Sequence, residues 1–266
     1  MLTKMERPLH IVKRWAPYVA LGVLAMAGSF QLAKLTTVQL AARAETNPVP
    51  FVLVTESYNF DASPQREFLG QETRARRSDG ARVHISTALG KPGIEAGVMA
   101  REVGYMDGRI VTLIDSMAVK TTWPHMARRM AELRERALHP PANCVDAVHT
   151  LVGYDVVAGR RVSIVKHVYP DGVESTNWLD LNLGCEQLTY RLESRLLDGS
   201  LKLRAEGRVI SLKLGEPPAA LFDDGPGYRE VSPSLRVHML ADKLGVPWND
   251  GMQRLSERED ADYSRR

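Results

Sequence analysis

Leu201-Lys-Leu-Arg-Ala-Glu206 and Arg208-Val-Ile-Ser-Leu-Lys-Leu214 carry the pattern that decides the fold. In the first, apolar side chains take odd positions and charged ones even positions. In the second, Ile210, Leu212 and Leu214 share a face opposite Ser211 and Lys213. A period of two, with one greasy and one wet face, marks a half-buried strand. Asp198-Gly199 lies just ahead, and the same pair recurs at Asp79-Gly80, Asp107-Gly108 and Asp171-Gly172. Asp-Gly suits the positive φ angles of tight hairpin turns. Strands are therefore expected over 51–60, 67–77, 82–89, 98–105, 109–114, 117–123, 154–157, 161–169, 175–181 and 187–197, besides the two quoted. The class is mainly β (α+β), built on antiparallel sheet.

One helix interrupts the strands. Over 125–138 it sets Met126, Met130, Leu133 and Leu138 along one stripe, with charges opposite. Pro140-Pro141 stop it. Its simplest place is over one face or mouth of a curved sheet. After Gly215 the pattern fades: Glu216-Pro-Pro218, Asp223–Gly227 and Ser232-Pro233 read as irregular chain. A short helix fits 235–244, and the polar stretch 256–266 reads as disordered.

The N-terminus bears on compartment. Lys4, Arg7, Lys13 and Arg14 precede a run from Trp15 to Ala33 that holds no charge. A basic stub before an apolar run is what the export machinery reads. The division expected is a cytoplasmic stub 1–14, a signal anchor or cleaved signal peptide 15–33, a linker 34–49, a periplasmic β-rich domain 50–235, and a C-terminal helix and polar tail 236–266. The chain carries a net charge of +3. The stub alone accounts for that, so the body is near neutral and has little pull on nucleic acid. The clusters Arg74/Arg76/Arg77 and Arg128/Arg129 have acidic neighbours and read as solvated faces.

Cys144 and Cys185 are the two cysteines. An even count in an exported chain points to a disulfide, whose loop closure is worth about 4 kcal/mol. Free buried thiols, a metal site with His139 and His149, or a catalytic thiol are the other readings. No zinc helix, nucleophile elbow or phosphate loop occurs, so neither catalytic residues nor a metal or cofactor is expected. Trp123 ends one strand and Trp178 sits within another. With Met126, Met130 and Leu133 they are the candidate lining of an apolar cavity; plain core packing is the competing reading.

Arg76-Arg-Ser-Asp-Gly80, Asp107-Gly-Arg-Ile-Val-Thr-Leu-Ile114 and Lys120-Thr-Thr-Trp-Pro124 resemble the strand-and-hairpin body of the LolA-like superfamily, the outer-membrane lipoprotein-sorting proteins. Leu221-Phe222, Gly227-Tyr-Arg-Glu-Val-Ser-Pro233, Cys144 and Trp178-Leu-Asp-Leu-Asn-Leu-Gly-Cys185 are similar to related secreted bacterial proteins. The resemblance implies a strongly curved antiparallel sheet, an incomplete barrel whose concave side is plugged by one or two helices. It also implies binding of lipid or acyl chains, or sensing of envelope state. A retained anchor departs from the soluble sorting proteins. The leading expectation is a non-enzymatic binding module for an apolar envelope ligand, a lipid or lipoprotein, tethered to the bacterial inner membrane on its periplasmic side. An envelope-stress sensor acting through a membrane partner, and a structural envelope protein, are the alternatives.

Overall fold

Among the described residues twelve strands follow one another as β1 (Phe51–Asn59), β2 (Glu67–Arg76), β3 (Arg82–Ala88), β4 (Val98–Gly104), β5 (Ile110–Ile114), β6 (Val119–Trp123), β7 (Thr150–Val157), β8 (Arg160–Val168), β9 (Val173–Asp180), β10 (Glu186–Arg195), β11 (Leu201–Leu214) and β12 (Arg229–Glu230). Helix α1 (Ala127–Leu138) divides them, and α2 (Pro233–Lys243) and α3 (Asp250–Ser264) follow. This computed structural model describes residues 47–60, 67–88, 98–196, 198–243, 245 and 247–264. The stub 1–14, the apolar run 15–33 and linker residues 34–46 lie outside the described residues, and with them the expected membrane helix. Among the described residues no helix is long and apolar enough to cross a membrane.

The four Asp-Gly pairs at 79, 107, 171 and 198 build the same turn. At Asp107-Gly108, Tyr105 N–H donates to Arg109 O (2.8 Å) and Gly108 N–H to Tyr105 O (3.1 Å). Asp107 Oδ1 takes the Arg109 N–H at 3.0 Å. Equivalent bonds close the turns at Asp79, Asp171 and Asp198. The glycines sit at φ of 80° to 97°, whereas the aspartates keep negative φ. That is a three-residue loop ending in a left-handed glycine, looser than the two-residue hairpin turns such pairs often make. The β7–β8 hairpin does use a two-residue turn, with Ala158 (φ 50°) and Gly159 (φ 73°) both left-handed.

The strands form one open sheet, ordered β12-β6-β5-β4-β3-β2-β1-β11-β10-β9-β8-β7. Two meanders, β1–β6 and β7–β11, join where β1 pairs with β11. Every pairing is antiparallel except that of β12, which lies parallel to β6. Residues 201–206 and 208–214 belong to one strand, β11. Register shifts opposite Val54/Thr55 and Leu192/Glu193, and the jump from Ser211 to Val209 leaves Ile210 as the extra residue. A bulge of this kind bends the strand. It also accounts for the switch of apolar residues from odd to even positions.

Curvature follows from contacts across the sheet. Glu186 on β10 bonds Arg82 on β3, four strand positions away. In a flat sheet that is about 19 Å, at about 4.8 Å per strand, yet Arg82 Nη2 lies 2.6 Å from Glu186 Oε2. Phe51 and Leu53 of β1 likewise share a buried cluster with Val162 of β8, Leu183 and Leu188. The sheet is thus an unclosed half-barrel, as the fold resemblance implied. Its outer face buries Ala75, Val83, Ile85, Val103, Val111 and Leu113 under Phe222. The irregular chain after β11 is held there by Tyr105 Oη donating to Phe222 O (2.6 Å) and Arg101 Nη1 to Asp223 O (2.7 Å).

The C-terminal stretch 256–266, expected to be disordered, is helical as far as Ser264. Its polar composition misled because polar groups dock it. Arg236 on α2 donates to Glu259 Oε2 (2.8 Å) and Ser234 N–H to Asp260 Oδ1 (3.1 Å). Tyr263 meets the Trp123 ring edge-on at 5.6 Å, and Asn249 Oδ1 accepts the Gly251 and Met252 N–H groups at the helix start. Helix α2 lays Met239 and Leu240 on Ile114, Val119 and Val231.

Candidate functional site on the concave face

Helix α1 crosses the mouth of the half-barrel, seated on glycines. A β-carbon on Gly108 would lie 2.6 Å from Ala127 Cβ, and one on Gly104 2.6 Å from Met130 Sδ. On Gly80 it would meet Arg134 Cδ at 3.3 Å, and on Gly184 the Ala137 Cα at 2.6 Å. Residues 127, 130, 134 and 137 fall on one helix face. The first three contacts are with β2–β5 and the last is just ahead of β10, so α1 spans both meanders. The Cys144–Cys185 disulfide, Cα atoms 5.4 Å apart, ties the chain after α1 to the residue after Gly184.

Beneath α1 the concave face carries charge. Arg76, Arg74 and Glu72 of β2 lie opposite Phe51, Leu53 and Thr55 of β1, and beside them stand Arg82 and His84 of β3. Glu186 is their common partner: Arg74 Nη1 donates to Oε1 at 2.8 Å and Arg82 Nη2 to Oε2 at 2.6 Å. Arg76, 1% exposed, donates Nε and Nη2 to Val49 O and holds its guanidinium 5.0 Å over the Phe51 ring. Burial alone would raise the Glu186 carboxyl, but Arg82, Arg74, Arg76 and His84 outweigh it and hold it below the usual carboxylate range. Glu72 is likewise raised by burial and more strongly lowered by His84, 3.5 Å away, and by Arg74. Next to α1, Arg129 lies 3.7 Å from Glu102.

Along the same face, away from the turns that seat α1, lie Ser57 and Tyr190. The Tyr190 hydroxyl donates to Ser57 Oγ at 3.2 Å, and its ring lies flat where a Gly207 side chain would stand. Burial pushes its phenol up. Tyr190 and Leu192 are half-buried. The face therefore carries its apolar cluster (Phe51, Leu53, Leu183 and Leu188) and its guanidinium–carboxylate centre side by side at one end, and the half-buried Tyr190 and Leu192 toward the other.

The candidate lining residues scatter across this frame. Met130 is 1% exposed on Gly104. Met126 caps α1, its N–H on Gly108 O at 2.8 Å, and Leu133 is half-buried. Seven strands separate Trp123 from Trp178. Trp123 is packed by Tyr263, with Arg236 6.0 Å from its ring. Trp178 packs on the Phe51/Leu53 cluster and donates Nε1 to Asp155 Oδ2 at 3.1 Å. The two tryptophans thus stand at opposite ends of the sheet.

Arg74, Arg82, His84, Glu72 and Glu186 were missed as a group. Read as a solvated cluster, Arg74 and Arg76 instead face the interior, while Arg77 is half-buried on the opposite face, in an ion pair with Asp79. The signal was period two: 72, 74 and 76 share the face of Phe51 and Leu53. No metal-binding group of His, Cys, Asp and Glu occurs among the described residues.

No family model and no curated protein matches the chain. Among solved structures it is similar to MucB in the Pseudomonas aeruginosa MucA/MucB complex, at 19% identity and a TM-score of 0.39. That match covers 69% of this chain and 58% of the other, so the chain spans under two thirds of that MucB. An uncharacterized conserved protein from Thermus thermophilus gives 11% identity, a TM-score of 0.38, and coverage of 69% and 90%. A domain described as an outer membrane lipoprotein-sorting protein, from Vibrio parahaemolyticus, gives 8% identity, a TM-score of 0.27, and coverage of 65% and 88%.

Proposed function

We propose that the domain works outside the cytoplasm as a non-enzymatic binding module, and that its ligand is an amphiphile, a lipid or acylated molecule, received on the concave face. The observation that carries the reading is the divided chemistry of that face, with buried apolar side chains and three guanidinium groups side by side at one end and the half-buried Tyr190 and Leu192 toward the other. An acyl chain lies along Tyr190, Leu192 and Gly207, and an anionic head meets Arg74 and Arg82. The Cys144–Cys185 bridge and the basic stub before an apolar run support an oxidising compartment and an N-terminal tether to the inner membrane.

A fluorescent fatty acyl probe tests this. The full chain in mild detergent is expected to bind it in the micromolar range or tighter. Leu192→Asp would set a charge against the chain and weaken binding about tenfold or more, at a cost of a few kcal/mol. Circular dichroism checks that the variant stays folded. A folded wild type that ignores the probe overturns the proposal.

A further inference from the structure

The sheet has two edges of opposite character. At one, β12 pairs for two residues with β6, after which Val231 N–H donates to Lys120 O and α2 packs over the end. At the other, β7 runs for eight residues with β8 on one side. Natural sheets blunt such edges with lysines or prolines. Strand β7 has neither, and its register slip between Leu151 and Gly153 leaves Tyr154–Val157 regular; its single charge is Asp155, which accepts from Trp178 Nε1 and from Val156 N–H. Val152, Tyr154 and Val156 are 60%, 47% and 66% exposed, and Val148 and Val168 stand exposed beside them.

The backbone is oriented for pairing. The two-residue turn at 158–159 makes Val157 and Arg160 a hydrogen-bonded pair, so Asp155 and Val162 are the next one. Tyr154 and Val156 then turn N–H and C=O outward. The Val156 N–H bond to the Asp155 side chain, at 2.7 Å, fits that direction.

We infer that β7 is a self-association edge, and that its occupant is β7 of a second copy of this chain, antiparallel about a two-fold axis at Tyr154. In that register Tyr154 exchanges both backbone bonds with its counterpart and Val152 lies across from Val156. Asp155 faces Gly153, so no like charges meet. The guanidinium of Arg161, 4.7 Å over the Tyr154 ring, caps the pair on each side. Because the β12 edge is closed off, each chain has one open edge among the described residues. Pairing therefore ends at a two-fold dimer rather than running on into a fibre. The Val156 N–H leaves Asp155 to reach its new acceptor, which makes the dimer reversible.

The test is sedimentation of the full chain in mild detergent across a concentration series, with Tyr154→Lys and Val156→Lys beside wild type. Wild type is expected to pass from monomer to dimer, and either lysine to raise the dissociation constant at least tenfold with an unchanged melting curve. Tyr154→Cys should cross-link to itself under mild oxidation, whereas the exposed Leu214→Cys on β11 should not. A wild type monomeric throughout, a dimer untouched by both lysines, or equal cross-linking at 154 and 214 overturns the inference. If the pure chain is monomeric and Tyr154→Lys strips a cross-linked partner from it in cells, the edge serves another protein's strand and the two-copy assignment is wrong.

Discussion

Replacing Glu186 with Gln keeps the shape of the side chain and removes the charge that Arg74 and Arg82 share. Breaking one member out of a buried ion cluster costs about 3–5 kcal/mol, because the remaining charges stay desolvated. Here the arginine side chains are 20% and 29% exposed against 7% for Glu186. Solvent recovers part of the loss, and about 2–3 kcal/mol is the expected destabilisation. In urea, with a slope of about 2 kcal/mol per molar, the midpoint should fall by about 1 M at neutral pH. The pH dependence is the sharper readout. The folded Glu186 carboxyl titrates below its unfolded value of about 4.3. Its contribution is therefore full above that unfolded value and is lost as pH falls through the lower, folded one. The gap between wild type and Glu186→Gln should be constant from pH 6 to 8 and shrink below about pH 4. A gap under about 0.5 kcal/mol at neutral pH, the scale of an exposed pair, would refute the account of a buried hub. So would a gap that ignores pH.

Gly184→Ala should cost more than Gly104→Ala, measured by thermal unfolding. At Gly184 φ is 68° and a β-carbon would meet the Ala137 backbone at 2.6 Å, whereas at Gly104 it meets the flexible Met130 thioether. Cys144→Ser, Cys185→Ser and the double change should lower stability equally, by up to about 4 kcal/mol, since each deletes the same bridge across a separation of 41; native peptide mapping should find the two cysteine peptides linked. Met130→Asp should unfold the domain rather than spare it, by about 3 kcal/mol or more, because the side chain is 1% exposed; loss of the far-ultraviolet dichroism checks this.

Strand existence was legible because it depends on neighbours in sequence. The Asp-Gly pairs at 79, 107, 171 and 198 each reappear as a turn between strands, and the period-two segments as strands within a few residues of their ends. Two errors share a cause. The bulge at Ile210 shifted the apolar phase, so one strand read as two, and β7 starts at Thr150 rather than 154 because its register slips between Leu151 and Gly153. A periodic template cannot distinguish a phase slip from a strand end. Helix α1 was placed correctly, but of its apolar stripe Met130 alone meets one of these glycines, and the other contacts run along Ala127, Arg134 and Ala137. Glycine lets a helix approach a sheet closely, so alanines at 127 and 137 sit on the contact line, and a hydrophobicity stripe does not mark them.

The site was illegible for a different reason. Whether Arg74 and Arg76 face water or the interior depends on Glu186, 112 residues from Arg74 in sequence. Two neighbours within the strand, Thr73 and Ala75, gave no hint of a distant carboxylate. Burying a guanidinium is tolerable only when its partner arrives with the fold. That partner is delivered by the same curling that closes β10 over β2 and β3, so charge pattern and curvature are one event. The consequence concerns the ligand. An anionic head reaching Arg74 and Arg82 must compete with Glu186 for the same donors, so Glu186→Gln, though less stable, should bind an acidic amphiphile more tightly than wild type. A neutral amphiphile should bind both alike. Equal affinity of the two proteins for the acidic probe would mean that the guanidinium groups are purely structural and that the head lies elsewhere.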